Sequence, residues 1–203
     1  MARLKEYNGY YCESEYEYAF IGFLETEGWI YSSGNNISRV TKRDVLIADD
    51  FKKFIVDTNP DLTEDEVTQI FDNVRLVGSE SDFSTLHKVY GWMVNGIQFT
   101  PQDGIARMIP LIDFKKDSNK NIFRVVNQFT VEYTNNGQKE NRRPDVLLFV
   151  NGMPLCVIEL KNPADANATI YDAWEQINIR YWRDIPHPVS YTHLRAHETL
   201  MNL

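Results

Sequence analysis

Three side chains carry the most pointed chemistry in this sequence: Asp145, Glu159 and Lys161. Asp145 opens the apolar run Val146 to Val150, and Glu159 and Lys161 close the run Met153 to Ile158, on the far side of Asn151-Gly152. An ionised carboxylate in such a setting needs a cation, a dense hydrogen-bond shell or a shifted protonation. Two carboxylates and a lysine converging on one strand end suit a hard, oxygen-preferring ion such as Mg²⁺. The structural alternative is a buried ion pair of Glu159 with Lys161 or Arg143.

The element that must position these groups is a β-hairpin, because Asn-Gly between two β-rich runs is a strong short-range hairpin signal. Neither run alternates with polar residues, so both faces of the sheet are expected to be covered, as in an α/β layer protein. Strand parity decides whether the acids meet. A loop of only Asn151 and Gly152 pairs Val150 with Met153 and, in an unbroken ladder, turns Asp145 away from Glu159. A three-residue loop with Gly152 as the left-handed residue of a bulge puts both acids on one face, with Lys161 joining them by period two. The expectation is therefore the three-residue loop.

Pro144-Asp145, followed by Glu159-Leu160-Lys161, resembles the PD-(D/E)xK nuclease signature. The wider stretch NRRPDVLLFVNGMPLCVIELKNPADANATIYDAWEQI resembles the N-terminal nuclease domain of type I restriction enzyme R subunits. The resemblance implies an α/β fold with a restriction-endonuclease-like core, a central mixed sheet flanked by helices. It also implies Mg²⁺-dependent cleavage of double-stranded DNA, with Asp145 and Glu159 as metal ligands and Lys161 beside the attacking water. In the family, the helix after the second strand carries Gln-x-x-x-Tyr. Here Gln176 is followed four places on by Arg180, with Tyr181 one further, so Gln176 is the candidate carried over. The implied partners are the methylation and specificity subunits of a restriction complex. An ATP-driven translocase belongs to the full subunit, but this chain has no Gly-x-x-x-x-Gly-Lys-Ser/Thr phosphate loop. The rival from another class is a catalytically inactive nuclease fold that clamps DNA or serves complex assembly.

Upstream, Tyr16, Ala19, Phe20, Phe23 and Leu24 fall at helical spacing, with Gly28 placed to end the helix. Ser14-x-x-Glu17 reads as a capping box, which gives Glu17 a structural role; the other reading has the opening helix donate Glu17 to the site. Residues 37–100 read as a helical elaboration without assigned chemistry, its helices starting near Asp50, after the Thr63-to-Glu66 capping box, and near Ser81. Strands are expected over 106–114, over 122–133 and in the hairpin, with Asn127 and Gln128 bonding neighbouring backbone. Asn162-Pro163 stops the last strand, and a helix from about Asn167 aligns Ile170, Trp174, Ile177 and Tyr181.

The 203 residues and 43% hydrophobic content allow one sizeable core. Residues 1–189 are assigned to the nuclease domain, incomplete at its C-terminal end. Residues 190–203, which lack strand alternation, are read as a non-native tail. Cys12 and Cys156 are isolated, the start has no apolar leader, and no run approaches membrane-spanning length, so a cytoplasmic protein is expected. The net charge of −8 runs against a nucleic-acid binder. Its distribution matters more: residues 1–120 hold 13 Lys and Arg against 20 Asp and Glu, whereas 121–183 hold seven of each. The motif-bearing part is neutral, and another domain or subunit is expected to supply much of the grip on DNA.

Overall fold

A computed structural model describes residues 13–77, 82–115, 119–135, 138–160 and 170–176. Lys161, Tyr181, Cys12, the Asn162-Pro163 stop and the 190–203 tail lie outside the described residues. The elements are α1 (Glu13–Thr26), β1 (Ile30–Ser33), α2 (Ala48–Thr58), α3 (Glu64–Leu76) and α4 (Asp82–Asn95), then β2 (Ile97–Phe99) and β3 (Arg107–Ile109). They continue with β4 (Phe123–Asn127), β5 (Val131–Asn135), β6 (Gln138–Arg142), β7 (Val146–Val150), β8 (Met153–Ile158) and α5 (Ile170–Glu175). This is a mixed α/β architecture. Its main sheet has the order β1-β4-β7-β8, with β1 parallel to β4 and the other pairs antiparallel; β2-β3 and β5-β6 form separate ribbons.

Both faces of the main sheet are covered, as the unbroken apolar runs require. On one face Val125 and Val146 pack with Ile21 and Leu24 of α1. On the other, Val126, Leu147, Phe149 and Val157 pack with Val45, Ile47, Phe129 and Val131. The helices expected in 37–100 form close to their anticipated starts, but this region is more than an elaboration. Phe51, Phe54, Ile55 and Ile70 are almost fully buried, and they build a second core with Ile109, Leu111 and Met153. Asp50 of α2 also reaches the sheet: Arg124 Nε and Nη2 bond its carboxylate at 2.5 and 2.7 Å, while Nη1 bonds Ser32 Oγ at 2.7 Å. This fork geometry satisfies a carboxylate that would otherwise be costly to bury.

Two expectations are corrected. The continuous strand over 122–133 is broken into β4 and β5 at Gln128, whose φ of 53° ends the extended run. The core stripe of α1 is also rotated: Glu17, Ile21 and Leu24 are buried, whereas Tyr16 and Phe23 are 40% and 58% exposed. Because α1 carries apolar residues on several sides, spacing alone left its rotation open.

The capping box of α3 forms as expected. Glu66 N–H donates to Thr63 Oγ1, and the Glu66 carboxylate accepts from Thr63 N–H at 2.8 Å and Gln102 N–H at 2.7 Å. The Thr63 and Gln102 N–H groups hold the Glu66 carboxyl below its ordinary range, helped by the Thr63 hydroxyl and Arg107 and opposed by desolvation. A depressed carboxylate stabilises the fold above its unfolded-state pKa, and that contribution is lost as pH falls through the folded-state value. Glu66→Gln is therefore expected to be less stable at neutral pH and to show a shallower loss of stability on acidification. Parallel acid limbs in urea titrations of the two proteins would contradict this.

Candidate functional site

The acids owe their relative position to a register change inside the β7-β8 hairpin. Asn151 and Gly152 both have positive φ, 51° and 75°, as a two-residue type I′ turn requires. Val150 accordingly pairs with Met153, so the expected three-residue loop is wrong. The register then shifts within the strands: Phe149 pairs with Pro154, but Leu148 pairs with Cys156, leaving Leu155 as the extra residue of a bulge. Beyond the bulge Val146 faces Ile158, and continuing that register sets Asp145 opposite Glu159. The shared face expected from parity is reached by a bulge in β8 and not by the loop.

An uncharged N–H donor reaches each acid at this end of the sheet. Leu160 N–H donates to Asp145 Oδ2 at 2.8 Å, and Gln128 N–H donates to the Asp145 carbonyl at 3.0 Å. Gln176, following α5, donates its Nε2 to Glu159 Oε2 at 2.8 Å. Amide donors orient a carboxylate without cancelling its charge. Arg143 is exposed, and no ion pair joins it to Glu159 among the described residues. The alternative pairing with Lys161 falls outside the described residues.

Glu17 reaches the same end of the sheet from α1. Its helix begins at Glu13, so Ser14 is not the N-cap. Both Glu17 oxygens are taken by distant amides instead: Asn127 Nδ2 at 2.6 Å and Gln128 Nε2 at 3.0 Å. Asn127 Oδ1 in turn accepts from Tyr31 OH at 3.1 Å. The expectation that Asn127 and Gln128 bond neighbouring backbone through their side chains is thus corrected. Asn127 lies on the sheet face covered by α1, whereas Asp145 and Glu159 share the alternation of Leu147 and Val157 on the other face. Gln128 lies between Glu17 and the acid pair: its side chain bonds the Glu17 carboxylate and its backbone N–H bonds the main-chain carbonyl of Asp145.

Tyr31 and the Gln128 corner were not singled out in the sequence as parts of a site. Their one visible signal is the polar pair Asn127-Gln128 interrupting an apolar run. Among the described residues no group of three or more His, Cys, Asp or Glu side chains has metal-holding geometry. An opposed pair of carboxylates nevertheless fits Mg²⁺, which is commonly bound through one or two carboxylates with waters and phosphate oxygens completing its shell. No helix among the described residues is long and apolar enough to cross a membrane.

Comparison with known proteins places this chain in a family. The type I restriction enzyme MjaIXP endonuclease subunit of Methanocaldococcus jannaschii is 33% identical over 188 residues, covering 88% of this chain and 18% of that protein. The type I restriction enzyme HindI endonuclease subunit of Haemophilus influenzae is 29% identical over 178 residues, covering 81% of this chain and 16% of that protein. The chain thus spans less than a fifth of the length of these relatives. The family described as the type I restriction enzyme R protein N terminus matches residues 10–194. The chain belongs to that family and corresponds to the N-terminal region of a type I restriction enzyme R subunit.

Proposed function

We propose that this region is a PD-(D/E)xK nuclease domain that hydrolyses phosphodiester bonds of double-stranded DNA with Mg²⁺. The observation that carries the reading is the bulge-corrected register, which pairs Val146 with Ile158 and, continued by one residue, sets Asp145 opposite Glu159 on one sheet face. The names of the relatives, both endonuclease subunits, support it. Asp145 and Glu159 would hold the ion. When bound, Mg²⁺ supplies charge neutralisation at the scissile phosphate and a lowered pKa for the attacking water.

The chain's own groups do the positioning. Leu160 N–H fixes the Asp145 carboxylate and Gln176 fixes that of Glu159, so neither ligand has to be ordered when the ion arrives. Lys161 would orient the water or stabilise the charge developing on the phosphate. The complete subunit would add an ATP-driven motor and act with methylation and specificity subunits; these assignments are what the family resemblance implies.

Metal titration tests the reading. Mg²⁺ at about 100 times its dissociation constant should stabilise the chain by about 2.7 kcal/mol, a rise in Tm of roughly 5–10 °C for a domain of this size. DNA binding with no Mg²⁺-linked rise and no cleavage would favour the inactive clamp.

A further inference from the structure

We propose that the outward face of the β5-β6 ribbon is a track for the phosphate backbone of duplex DNA, leading to Asp145. The inference deepens the nuclease reading and rests on it for the identity of the polymer.

Alternation divides the ribbon into two layers. Val131 and Tyr133 are buried on the inner side. Glu140 pairs with Tyr133 and bonds its hydroxyl, and Arg142 pairs with Val131 and lies over the Tyr133 ring at 5.1 Å. Lys139 and Asn141 therefore point outward, and both are exposed. Arg143, also exposed, continues their parity and stands two residues before Asp145.

The neighbouring segment joins this face. Glu132 N–H donates to the Lys42 carbonyl at 2.9 Å, which runs residues 42 and 43 alongside β5. Arg43 then bonds Thr134 Oγ1 at 2.6 Å and lies 3.8 Å from Glu132. The outward layer thus sets Arg43, Lys139 and Arg143 against the single carboxylate of Glu132, within a chain of net charge −8. Such a local reversal of sign is the electrostatic footprint of a polyanion contact. Thr134 and Asn141 add the uncharged hydrogen-bonding groups that commonly meet phosphate and sugar.

The dimensions also suit a strand of DNA. The six residue steps from Lys139 to Asp145, the first three of them within β6, span at most about 20 Å, several phosphate spacings along one strand. Glu132 is the built-in opponent, 3.3 Å from Lys139 and within 4 Å of Arg43. Its removal would release both cations for phosphate.

The test is fluorescence anisotropy of the 203-residue chain with labelled 30-base-pair duplexes of unrelated sequence, without Mg²⁺, over a range of salt. Lys139→Ala combined with Arg143→Ala should weaken binding by roughly tenfold or more for every duplex and reduce the salt slope by about two. Glu132→Gln should tighten binding. Unchanged affinity and slope in the double variant, or no binding by the parent at about 50 mM salt, would overturn the track. The nuclease reading has a separate readout, the Mg²⁺-linked rise in Tm of the unsubstituted chain, and stands or falls on that. Matching circular dichroism and urea midpoints without metal keep a folding defect from passing as lost binding.

Discussion

Glu159→Gln is expected to abolish the Mg²⁺-linked rise in Tm and to lower DNA cleavage by at least about 100-fold while leaving the metal-free fold intact. Substituting groups that merely orient a metal ligand typically costs 10–100-fold, so loss of a ligand's charge should cost at least that much. Gln is nearly isosteric with Glu and keeps an oxygen that can accept from Gln176 Nε2, now 2.8 Å from Glu159 Oε2. What disappears is one of two opposed negative charges, and with it much of the attraction for a hard divalent ion. Removing a partly buried carboxylate can also raise stability in the absence of metal. Differential scanning fluorimetry with and without Mg²⁺, beside a plasmid-nicking assay, reads both effects. Cleavage at near the parental rate would remove Glu159 from the mechanism. Unfolding of the variant would favour a structural ion pair with Lys161.

How much of this was legible in the sequence depends on whether a local signal fixed each feature. Asn151-Gly152 announces a hairpin, because only a few residues accept positive φ at both central positions, but the two-residue turn that forms is not the three-residue loop expected. The apolar runs announce a sheet covered on both faces. The register near the acids was not legible, because it turns on one extra residue, Leu155, in the middle of β8. Pro154 next to it is the available hint: proline cannot donate to a ladder and is found in strands chiefly at edges, starts and bulges.

The rotation of α1 was hidden for a different reason. Glu17 was open to a capping role or a place in the site, and the partners that decide it, Asn127 and Gln128, lie 110 and 111 residues away. Gln128 itself gave no sign of a left-handed backbone, which is more often taken by Gly or Asn. Its conformation lets the side chain bond the Glu17 carboxylate while the N–H bonds the Asp145 main-chain carbonyl, the kind of strained corner that tends to accompany a functional site.

Gly152→Ala is expected to destabilise the protein by about 4 kcal/mol or more, among the larger effects of any single substitution. The hairpin turn is interior, not a surface loop. Asn151 is fully buried, accepts from Ile122 N–H at 2.8 Å and donates to the Leu111 carbonyl at 2.9 Å, while Ile47 N–H donates to the Gly152 carbonyl at 2.9 Å. A Cβ on Gly152 would stand 2.2 Å from the Ile47 carbonyl oxygen and 2.9 Å from Phe51 N. Both are backbone atoms at the start of α2, so no side-chain rotation relieves the clash. Gly104 is the matched control: its φ of 77° is nearly that of Gly152, yet a Cβ added there would meet nothing within 4 Å. Gly104→Ala should therefore incur only the left-handed backbone penalty, about 1–2 kcal/mol. Urea denaturation of the two variants separates strain from collision, and equal midpoints would show that α2 yields without cost. Because the same turn starts the register that the Leu155 bulge later corrects, any folded fraction of Gly152→Ala should also lose Mg²⁺-linked stabilisation, whereas Gly104→Ala should keep it.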